Sequence, residues 1–412
     1  MSIDIKMAWR NIWRNPRRSI LTMAAIAFAC LLLVFMLSWQ FGSYDSMINS
    51  AVKIHTGHLQ IQAKGYQDKR SIHLVVTDPM QVGEVLKDIP EVDEYTFRAN
   101  AFSLVSSRDR TYGIMVTGID PGREAKVSTI KHLIRQGKYL SDNDNNKALI
   151  GEILAKNMKA TLGDELVVLG QGRDGSVAAT VMTVEGIFSS GQDVFDRSSI
   201  QITLQNFQDI YAMRGAVHEV VILGKSLNAV QKIKETVAAE IPKINNKHHL
   251  VVLDWMELLP GLVEGIQMDL YGALIFYLIL VIVVAFSILN TFLMSIFERT
   301  REFGVMLAIG ATPGRLMKLL LLESTTMTML GIIFGIIAGS LITWYFQING
   351  IIISGTSDIM SQFGMPERMY PRLSLRSLVI GPSVVLIITF LTALYPTLKV
   401  RRFCPVEAMK AV

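Results

Sequence analysis

Four uncharged apolar stretches, spaced unevenly along the chain, constrain its fold more than any other feature. Each is long enough to cross a bilayer, whose hydrocarbon core requires about 20 apolar residues in a helix. One lies near the N-terminus and three crowd into the C-terminal third; they are residues 20–41, 270–297, 324–346 and 378–398. The spacing predicts an α-helical membrane protein with four transmembrane helices and one large domain between the first and second helices.

The composition agrees with a membrane protein. Charged residues make up 18% of the chain and the mean hydropathy is +0.37, whereas soluble proteins carry about 25% charged residues. The net charge of +5 does not indicate a nucleic-acid partner, because the basic residues lie at the ends of the apolar stretches and not in one aromatic-lined patch. Membrane lipids are the expected surroundings.

Lysine and arginine indicate the orientation, because short loops rich in these residues stay in the cytoplasm. On the opposite side, the short loop 347–376 contains three arginines, which weaken the asymmetry without reversing it. Both termini are therefore expected in the cytoplasm and the large domain outside it. The basic segments contain Lys6, Arg10, Arg14, Arg17 and Arg18; Arg299, Arg301, Arg315 and Lys318; and Lys399, Arg401, Arg402 and Lys410.

The same patterns divide the chain into nine segments. In the first, Trp9, Ile12 and Trp13 share one helical face, which indicates either a headgroup-layer helix that braces the spans or a simple basic anchor. The segments are the amphipathic helix at 1–18, transmembrane helices at 19–41, 270–297, 319–346 and 377–398, the large domain at 42–269, a linking region at 298–318, a short loop at 347–376 and a tail at 399–412.

The large domain is expected to contain two lobes. Strand–helix–strand patterns in residues 42–119 and 206–269 predict one α+β lobe built from two distant parts of the chain. Between them, residues 120–205 are rich in glycine and short alternating strands, which predicts a mostly β lobe inserted into the first. The domain contains no cysteine, so we expect it to be held by its own core and not by disulfides.

The sequence contains no catalytic motif. A Gly-x-Ser-x-Gly elbow, a His-Glu-x-x-His pair and a phosphate-binding Gly-x-x-x-x-Gly-Lys-Ser/Thr loop are all absent. Cys30 and Cys404 have no partners at metal-ligand spacing, and Asp142 with Asp144 matches only half of a calcium loop. We therefore expect no catalytic residue, no metal site and no cofactor in this chain, which is not itself a P-loop ATPase.

Three features of the C-terminal third each admit two interpretations. Gly331, Gly335 and Gly339 lie on one helix face, which predicts close helix packing either within one subunit or across a dimer interface. Glu323 either has a structural role, capping its span or pairing with Lys318 or a nearby arginine, or takes part in proton transfer. The charged link at 298–322 is either a helix that docks a cytoplasmic partner or a solvated loop.

Four segments of the sequence resemble one family. They are ERTREFGVMLAIGAT within residues 290–335, YPTLKVRRFCPVEAMKAV at the C-terminal end, AWRNIWRNPRRS near the N-terminus and GHLQIQAKGY at the start of the large domain. With the pattern of spans, these segments resemble a permease subunit of the MacB/FtsX/LolC-type (type VII) ABC transporters, nearest the LolC/LolE lipoprotein-releasing group. The resemblance covers essentially the whole chain.

The resemblance implies partners and a mechanism. Two permease subunits, identical or different, would pair in the bacterial inner membrane and be served by a cytoplasmic ATPase dimer that binds ATP and Mg²⁺. Movement would reach the periplasm mechanically, through a Porter-like lobe at 42–119 and 206–269 and a Sabre-like lobe at 120–205, with a periplasmic or outer-membrane protein as an optional partner. The ATPase would contact Arg301, Glu302, Phe303, Gly304, Leu307, Gly310, Ala311 and Thr312.

The resemblance also implies a lipid-anchored or amphiphilic substrate that enters between the first helix of one subunit and the second helix of the other. LolC-type permeases carry a long hook for a chaperone, but residues 169–180 predict a short hairpin. The alternatives are an FtsX-like regulator that transports nothing and a sensor or binding module. The expected access residues, which alternatively only face lipid, are Met36, Trp39, Phe41, Tyr44, Met47, Leu270, Ala273 and Leu274.

Overall fold

The computed structural model describes residues 3–244, 246, 248–352 and 368–400. They form two compact units. The membrane unit contains the described parts of 1–45, 265–352 and 368–412, and the large domain contains the described parts of 46–264. Among the helices of these described residues, four are long and apolar enough to cross a membrane, which confirms the predicted number of spans.

The described residues contain fourteen α-helices and twelve strands. The helices are α1 (Ile3–Arg14), α2 (Pro16–Ala51), α3 (Tyr66–Lys69), α4 (Pro79–Lys87), α5 (Pro121–Val127), α6 (Glu152–Met158), α7 (Asp193–Ser198), α8 (Leu204–Ile210), α9 (Val230–Glu240), α10 (Trp255–Leu258), α11 (Pro260–Glu298), α12 (Thr300–Ala308), α13 (Pro313–Asn349) and α14 (Leu375–Val400). The strands are β1 (Leu59–Ala63), β2 (Val92–Ser107), β3 (Arg110–Ile119), β4 (Ile134–Gly137), β5 (Lys147–Gly151), β6 (Glu165–Gln171), β7 (Val177–Phe188), β8 (Ser199–Thr203), β9 (Glu219–Gly224), β10 (Leu250–Asp254), β11 (Ile351–Ile352) and β12 (Arg368–Met369).

The chain turns sharply between α1 and α2. Pro16 opens α2, because its fixed φ suits the first position of a helix and its missing N–H is not needed there. The Ser19 hydroxyl donates a 2.6 Å hydrogen bond to the carbonyl oxygen of Ile12, one of the acceptors that the end of α1 leaves open. α1 also lies against α13, as expected of a helix that braces a span.

α2 lies at the centre of the membrane unit. Its buried side chains Ile26, Cys30 and Val34 belong to one apolar core that also contains side chains of α11, α13 and α14. In its most apolar part 39% of α2 is buried within the protein, compared with 11% for α11. The first span is therefore the most buried of the four, whereas α11 exposes most of its apolar surface.

Gly331, Gly335 and Gly339 bring α13 into backbone contact with α2. A Cβ atom on Gly335 would lie 2.6 Å from the carbonyl oxygen of Ala27, and one on Gly331 would lie 2.9 Å from the Cβ of Ile26. A larger residue would push the helices apart, which is why small residues line close helix contacts in membranes. Of the two interpretations of these glycines, the structure supports packing within one subunit.

The large domain is built on one ten-stranded sheet. The strands β10, β1, β9 and β2 run in this order and are antiparallel, and α4 and α9 pack on them around an apolar core. Beyond β2 the sheet closes: β2, β3, β8, β5, β7 and β6 pair in sequence, and β6 pairs back with β2. The second lobe is thus a six-stranded barrel with its own apolar interior.

β2 belongs to both lobes. It is 16 residues long; its first half pairs with β9, and its second half pairs with β6. The prediction placed all of residues 42–119 in the first lobe, whereas the barrel includes the second half of β2 and the whole of β3. The composition changes near residue 119, but the hydrogen-bonded pairing of strands does not follow that change.

β6 and β7 form the hairpin that contains residues 169–180. Their register runs from Glu165 opposite Thr183 to Gln171 opposite Val177. The N–H of Gly172 donates to the carbonyl oxygen of Ser176 at 2.8 Å and closes a short loop. The prediction of a short hairpin is confirmed, and these residues form no protruding hook.

Candidate functional site

α12 is the short helix between the second and third transmembrane helices. It ends in a turn where Gly310 has a φ of +98°, a conformation open to glycine. The N–H of Ala311 donates to the carbonyl oxygen of Met306 at 2.9 Å, and Pro313 then begins α13. The linking region predicted at 298–318 is therefore a helix and a tight turn, not a solvated loop.

The inner face of α12 fastens it to the membrane unit. Phe303 is completely buried and belongs to a small apolar cluster with Ile296 of α11 and with Leu316 and Leu320 of α13. Gly304 is also buried. Phe303 and Gly304, both expected at the ATPase contact, are thus buried within this chain, and Phe303 packs α12 against α11 and α13.

The outer face of α12 is exposed and partly apolar. Arg301, Val305 and Ile309 recur at four-residue spacing, so they share one helix face, and Ile309 is 81% exposed. Of the remaining residues expected at the ATPase contact, Gly310 and Thr312 are exposed, and Glu302, Leu307 and Ala311 are half-buried. An apolar pair on the exposed face of a charged helix can bind a groove in another protein.

A buried ion pair lies at the base of α12. The Arg299 Nη1 atom is 3.0 Å from Glu323 Oε2 and 3.3 Å from Glu323 Oε1, and the two side chains are 9% and 5% exposed. Glu323 belongs to α13, so the pair links the start of α12 to the third span. Of the two interpretations of Glu323, this geometry supports pairing with a basic residue.

Two further ion pairs complete this charged end, which we call the α12 end of the membrane unit. Arg14 of α1 pairs with Glu302, and its guanidinium holds the pKa of Glu302 below the usual range. Arg18 of α2 pairs with Glu298 and also donates to Ser295 Oγ at 2.9 Å. Ion pairs thus join α12 to α1 and α13, and α2 to α11.

Hydrogen bonds join α2 and α11 at the opposite end of the membrane unit. The Tyr44 hydroxyl donates to Asp269 Oδ2 at 2.6 Å, and the Gln40 amide donates to the Tyr44 oxygen at 2.8 Å. The Tyr277 hydroxyl donates to Gln40 Oε1 at 3.0 Å. These four residues form a chain of hydrogen bonds between the first and second spans of one subunit.

The predicted substrate-access residues lie at or near this opposite end. Tyr44 takes part in the hydrogen-bond chain, and Leu270 directly follows Asp269. Leu270 and Leu274 are exposed on α11. The structure thus brings Tyr44 to the start of the second span, while Met36, Trp39 and Phe41 of α2 and Ala273 of α11 are half-buried and Met47 lies in the large domain.

α14 is also tied to α2 at the opposite end. The Arg372 N–H donates to the carbonyl oxygen of Ser38 at 2.8 Å, and its guanidinium pairs with Asp45. The Ser38 hydroxyl donates a hydrogen bond to the Ser377 hydroxyl oxygen at 2.8 Å. Arg372 is one of the arginines that weaken the charge asymmetry, and its acidic partner explains how it is accommodated on that side.

A π-helical turn at Val52–Thr56 is fixed inside the large domain. The Ser128 hydroxyl donates to the carbonyl oxygen of Ile54 at 2.7 Å. The N–H of Gly57 donates to the carbonyl oxygen of Val52 at 2.7 Å. The Arg98 guanidinium donates to the carbonyl oxygen of His55. Such turns are rare and often occur at functional sites; here it follows directly on α2.

The domain core contains further buried polar groups. Arg98 forms a two-pronged pair with Glu124, at 2.6 and 3.0 Å, with both side chains buried. Burial raises the pKa of the Glu219 carboxyl, which accepts from Asn100 at 2.9 Å. Burial lowers the pKa of His218 to about 4. Within the described residues, no group of three or more His, Cys, Asp or Glu could hold a metal ion.

The sequence did not single out the residues that tie the helices together. Arg14, Arg18 and Arg299 were used only to predict which side of the membrane is cytoplasmic. No role was predicted for Gln40 or Asp269. The available signal was position: acidic Glu298, Glu302 and Glu323 lie at the same ends of apolar stretches as these arginines. Opposite charges at one membrane depth favour pairing between helices.

Known proteins resemble both parts of the chain. The lipoprotein-releasing system transmembrane protein LolC of Xylella fastidiosa is 22% identical over 416 residues, which cover 96% of this chain and 95% of that protein. The uncharacterized ABC transporter permease YknZ of Bacillus subtilis is 25% identical over 277 residues, covering 61% of this chain and 65% of that protein. The crystal structure of the extracellular domain of the noncanonic ABC-type transporter YknZ from Gram-positive bacteria aligns with 48% of this chain and 99% of its own, at 14% identity and a TM-score of 0.36.

Two protein families match consecutive parts of the sequence. The MacB-like periplasmic core domain matches residues 19–240, and the FtsX-like permease C-terminal domain matches residues 274–405. The first match alone covers more than half of the chain. The chain therefore belongs to the ABC transporter permeases that combine a MacB-like periplasmic core domain with an FtsX-like permease C-terminal domain.

Proposed function

We propose that this permease receives its energy from a separate ATPase through the exposed face of α12, and that it uses the movement to extract a lipid-anchored or amphiphilic substrate from the membrane. The observation that carries the first part is the division of α12 into a buried face at Phe303 and an exposed face at Val305 and Ile309. The chain has no nucleotide motif, so ATP and Mg²⁺ belong to the partner.

The ion pairs of the α12 end support transmission of movement into the spans. A force on α12 reaches α13 through Arg299 and Glu323, and it reaches α1 through Glu302 and Arg14. Charge-assisted hydrogen bonds are shorter and stronger than neutral ones. α12 therefore moves with the helices to which it is tied.

The proposed substrate class rests on one relative and one position. The relative is the lipoprotein-releasing protein LolC of Xylella fastidiosa, at 22% identity. The position is the opposite end of the membrane unit, where half-buried Trp39 and Phe41 of α2 lie near the Tyr44 contact to α11. Aromatic side chains of this kind suit an acyl chain and a headgroup together. The short β6–β7 hairpin of the large domain argues against capture of a lipoprotein chaperone by this permease.

The ATPase contact is tested by an Ile309→Asp variant, with Ile309→Leu as its matched control. Full-length chains are purified from membranes with the ATPase that accompanies them. Because Ile309 is exposed, the aspartate leaves insertion and thermal stability unchanged but places a charge in an apolar contact. We expect recovery of the ATPase to fall about tenfold, since one lost contact of about 1.4 kcal/mol has that effect. Equal recovery with both variants contradicts the proposal.

The substrate part is tested with photo-crosslinkers at Trp39 and Met47. We expect each to capture a lipid-anchored or amphiphilic molecule without ATP and to lose it after ATP is added. Capture of nothing but another permease subunit in every nucleotide state would instead support an FtsX-like regulator that transports nothing. A crosslinker at Asp174, in the β6–β7 loop, is the control and is expected to capture no chaperone.

We further propose that both termini lie in the cytoplasm and that the protein resides in the bacterial inner membrane with its large domain in the periplasm. The basic residues at the α12 end support this orientation. Ser226 and Asp109 are exposed on the large domain, so cysteines at these positions are expected to react with an impermeant reagent on intact spheroplasts. Reaction only after lysis would show that the large domain lies in the cytoplasm.

A further inference from the structure

The large domain contains a cleft between its two lobes. Asp78 and Pro79, at the start of α4, line it on the side of the first lobe, and Leu204 and Gln205, at the start of α8, line it on the side of the barrel. Its volume is about 590 Å³. Clefts that bind small molecules measure about 300–1,000 Å³ and often lie where two domains meet. The cleft therefore has the size and the position of a binding site.

Two of the helices that border the cleft begin side by side. β3 ends at Ile119 and β8 ends at Thr203, and these two residues lie opposite each other in a parallel register. The helices that follow, α5 and α8, therefore start at the same edge of the sheet. Pro79 and Pro121 occupy the first positions of α4 and α5, where the proline ring fixes φ. The backbone around the cleft is thus well defined.

The deepest part of the cleft is apolar. Phe97, Ile119 and Val217 line it, and all three side chains are buried almost completely or completely. Met80 also lines the cleft but is 61% exposed, so it lies where the cleft opens to solvent. Covering apolar surface of this kind is favourable because it releases water. An apolar part of a ligand would therefore bind at the bottom of the cleft.

The charged residues that line the cleft are all acidic. They are Asp78, Asp120 and Asp142, and among the described residues no lysine, arginine or histidine lines it. Asp120 pairs with Arg123 at 3.4 Å, which offsets its charge. Asp78 uses one oxygen to accept from the N–H of Gln81 at 3.3 Å, and Asp142 is exposed. Two carboxylates therefore remain to attract a cation.

A buried hydroxyl lines the same cleft. Thr203 is 2% exposed. Its Oγ1 atom donates to the carbonyl oxygen of Asp144 at 3.5 Å, which is long for a hydrogen bond between oxygens. A buried polar atom without a good partner is costly, so a donor that reached this oxygen would be bound favourably. The hydroxyl and the carboxylates thus call for the same kind of group, a positively charged N–H donor.

We propose that the cleft binds an ammonium group attached to a short apolar segment. Asp78 and Asp142 attract the ammonium, Thr203 accepts one of its hydrogen bonds, and the apolar segment covers Phe97 and Val217. The cation is organic and not a metal, because no three His, Cys, Asp or Glu side chains in the described part of the chain could hold a metal ion. A free amphiphilic amine and the lysine of a peptide both carry this chemistry.

The binding is measured by isothermal titration calorimetry on the full-length chain in nanodiscs, with empty nanodiscs as the blank. Hexylamine is compared with hexanol, and the blocked dipeptide acetyl-leucyl-lysine amide is compared with its neutral norleucine analogue. We expect at least one amine to bind about tenfold or more tightly than its neutral counterpart, because charge-assisted hydrogen bonds are about twice as strong as neutral ones. The amine that binds more tightly shows whether a small molecule or a peptide is the better ligand.

Substitutions then locate the site. Asp78→Asn combined with Asp142→Asn removes both charges, while asparagine still caps α4, so thermal unfolding should not change. We expect this variant to lower the affinity for the amine about tenfold, to that of the neutral probe. The matched control is Asp109→Asn, which removes an exposed carboxylate between β2 and β3, outside the cleft, and should leave the affinity unchanged. Gln205→Trp fills the cleft from an exposed position and should weaken charged and neutral probes alike.

Three results would overturn the proposal. They are equal affinities for amines and their neutral counterparts, an equal loss of affinity in the Asp109→Asn control, and amine binding that Gln205→Trp leaves intact. The proposal goes beyond the proposed function and does not depend on it, because the cleft lies wholly within the large domain. Recovery of the ATPase, measured on the same samples, should be the same in all variants, since it depends on α12. Failure of the proposed function is therefore distinguishable from failure of this inference.

Discussion

The membrane unit and the large domain bury their ion pairs in different places. In the membrane unit, Arg299 and Glu323 lie at one end of the helices, and the core between the ends is apolar. In the large domain, Arg98 of β2 and Glu124 of α5 pair within the core, and the side chains are 1% and 0% exposed. Both units therefore contain a buried pair, but only one places it in the middle of its fold.

The difference indicates what each pair does. An unpaired charge inside a core is costly, so a central pair restricts the domain to the arrangement in which the partners meet. Polar contacts at the two ends of the membrane unit instead join specific helices. Between the ends, the apolar parts of the helices are held by packing alone. Substitutions in the two units are therefore expected to differ in their effect on stability. Four substitutions test this comparison.

The largest effect is expected in the domain core. Arg98→Met leaves Glu124 buried without its partner and should lower the free energy of unfolding by about 3–5 kcal/mol. The control is the double variant Arg98→Met with Glu124→Leu, which removes both charges and should recover most of the loss. Denaturant unfolding of the full chain measures both. A single variant as stable as the parent would show that the pair does not restrict the domain.

The corresponding change in the membrane unit should cost less. Arg299→Met leaves Glu323 unpaired, but Arg18 lines the same small cavity as Glu323 and can compensate part of its charge. We expect a loss of about 2–3 kcal/mol, within the range for a charged hydrogen bond, measured as thermal stability in nanodiscs. A loss as large as that of Arg98→Met would remove the contrast between the units.

Acidification should weaken the domain core through His218. Its pKa is about 4 in the folded domain and about 6.5 when unfolded. Between these values the unfolded chain binds the extra proton, so stability falls as the pH falls from 6.5 towards 4. From pH 7.5 to 5.5 the expected loss is about 1 kcal/mol. The raised pKa of Glu219 acts in the opposite direction.

His218→Gln isolates the histidine contribution. The variant keeps a polar side chain but does not titrate. Its unfolding free energy should therefore fall by about 1 kcal/mol less than that of the parent between pH 7.5 and 5.5. Unfolding curves at pH 7.5 and 5.5 measure both chains. Parallel pH profiles would mean that His218 is not the group responsible.

The smallest effect is expected at the opposite end of the membrane unit. Tyr44→Phe removes the hydroxyl that joins Gln40 to Asp269 and should cost about 1 kcal/mol, the usual value of one hydrogen bond. A double-mutant cycle with Asp269→Asn measures the coupling between the two side chains. A coupling free energy larger than that between Arg299 and Glu323 would mean that the polar contacts at this end contribute more to stability than those at the α12 end.

The sequence predicted the features that depend on local composition. The four spans follow from their apolar length, and the turn after α12 follows from Gly310 and Pro313. The helices themselves extend beyond the apolar stretches: α2 continues to Ala51 and α11 begins at Pro260. Hydropathy reports the part of a helix that lies in lipid, whereas backbone hydrogen bonds continue wherever the chain can form them.

Features that depend on distant pairing were not predictable. Arg18 and Glu298 are 280 positions apart, and Arg14 and Glu302 are 288 apart, so no local pattern connects them. The closure of the barrel likewise depends on β2 meeting β6. Phe303 was expected at the ATPase contact because the family motif contains it, but only the three-dimensional packing shows that it faces inward.

Closure of the barrel also has a consequence for how the domain folds. The β6–β7 hairpin is local and can form early, but β3 must wait for β8, since Met115 pairs with Ser199. Pairings between distant segments are slow, because a long loop loses entropy before its ends make contact. During synthesis β2 and β3 appear before β6, β8 and β9, and their open edges can then pair with another chain. The domain is therefore most prone to aggregation in the interval between the appearance of β2 and the arrival of its last partner strand.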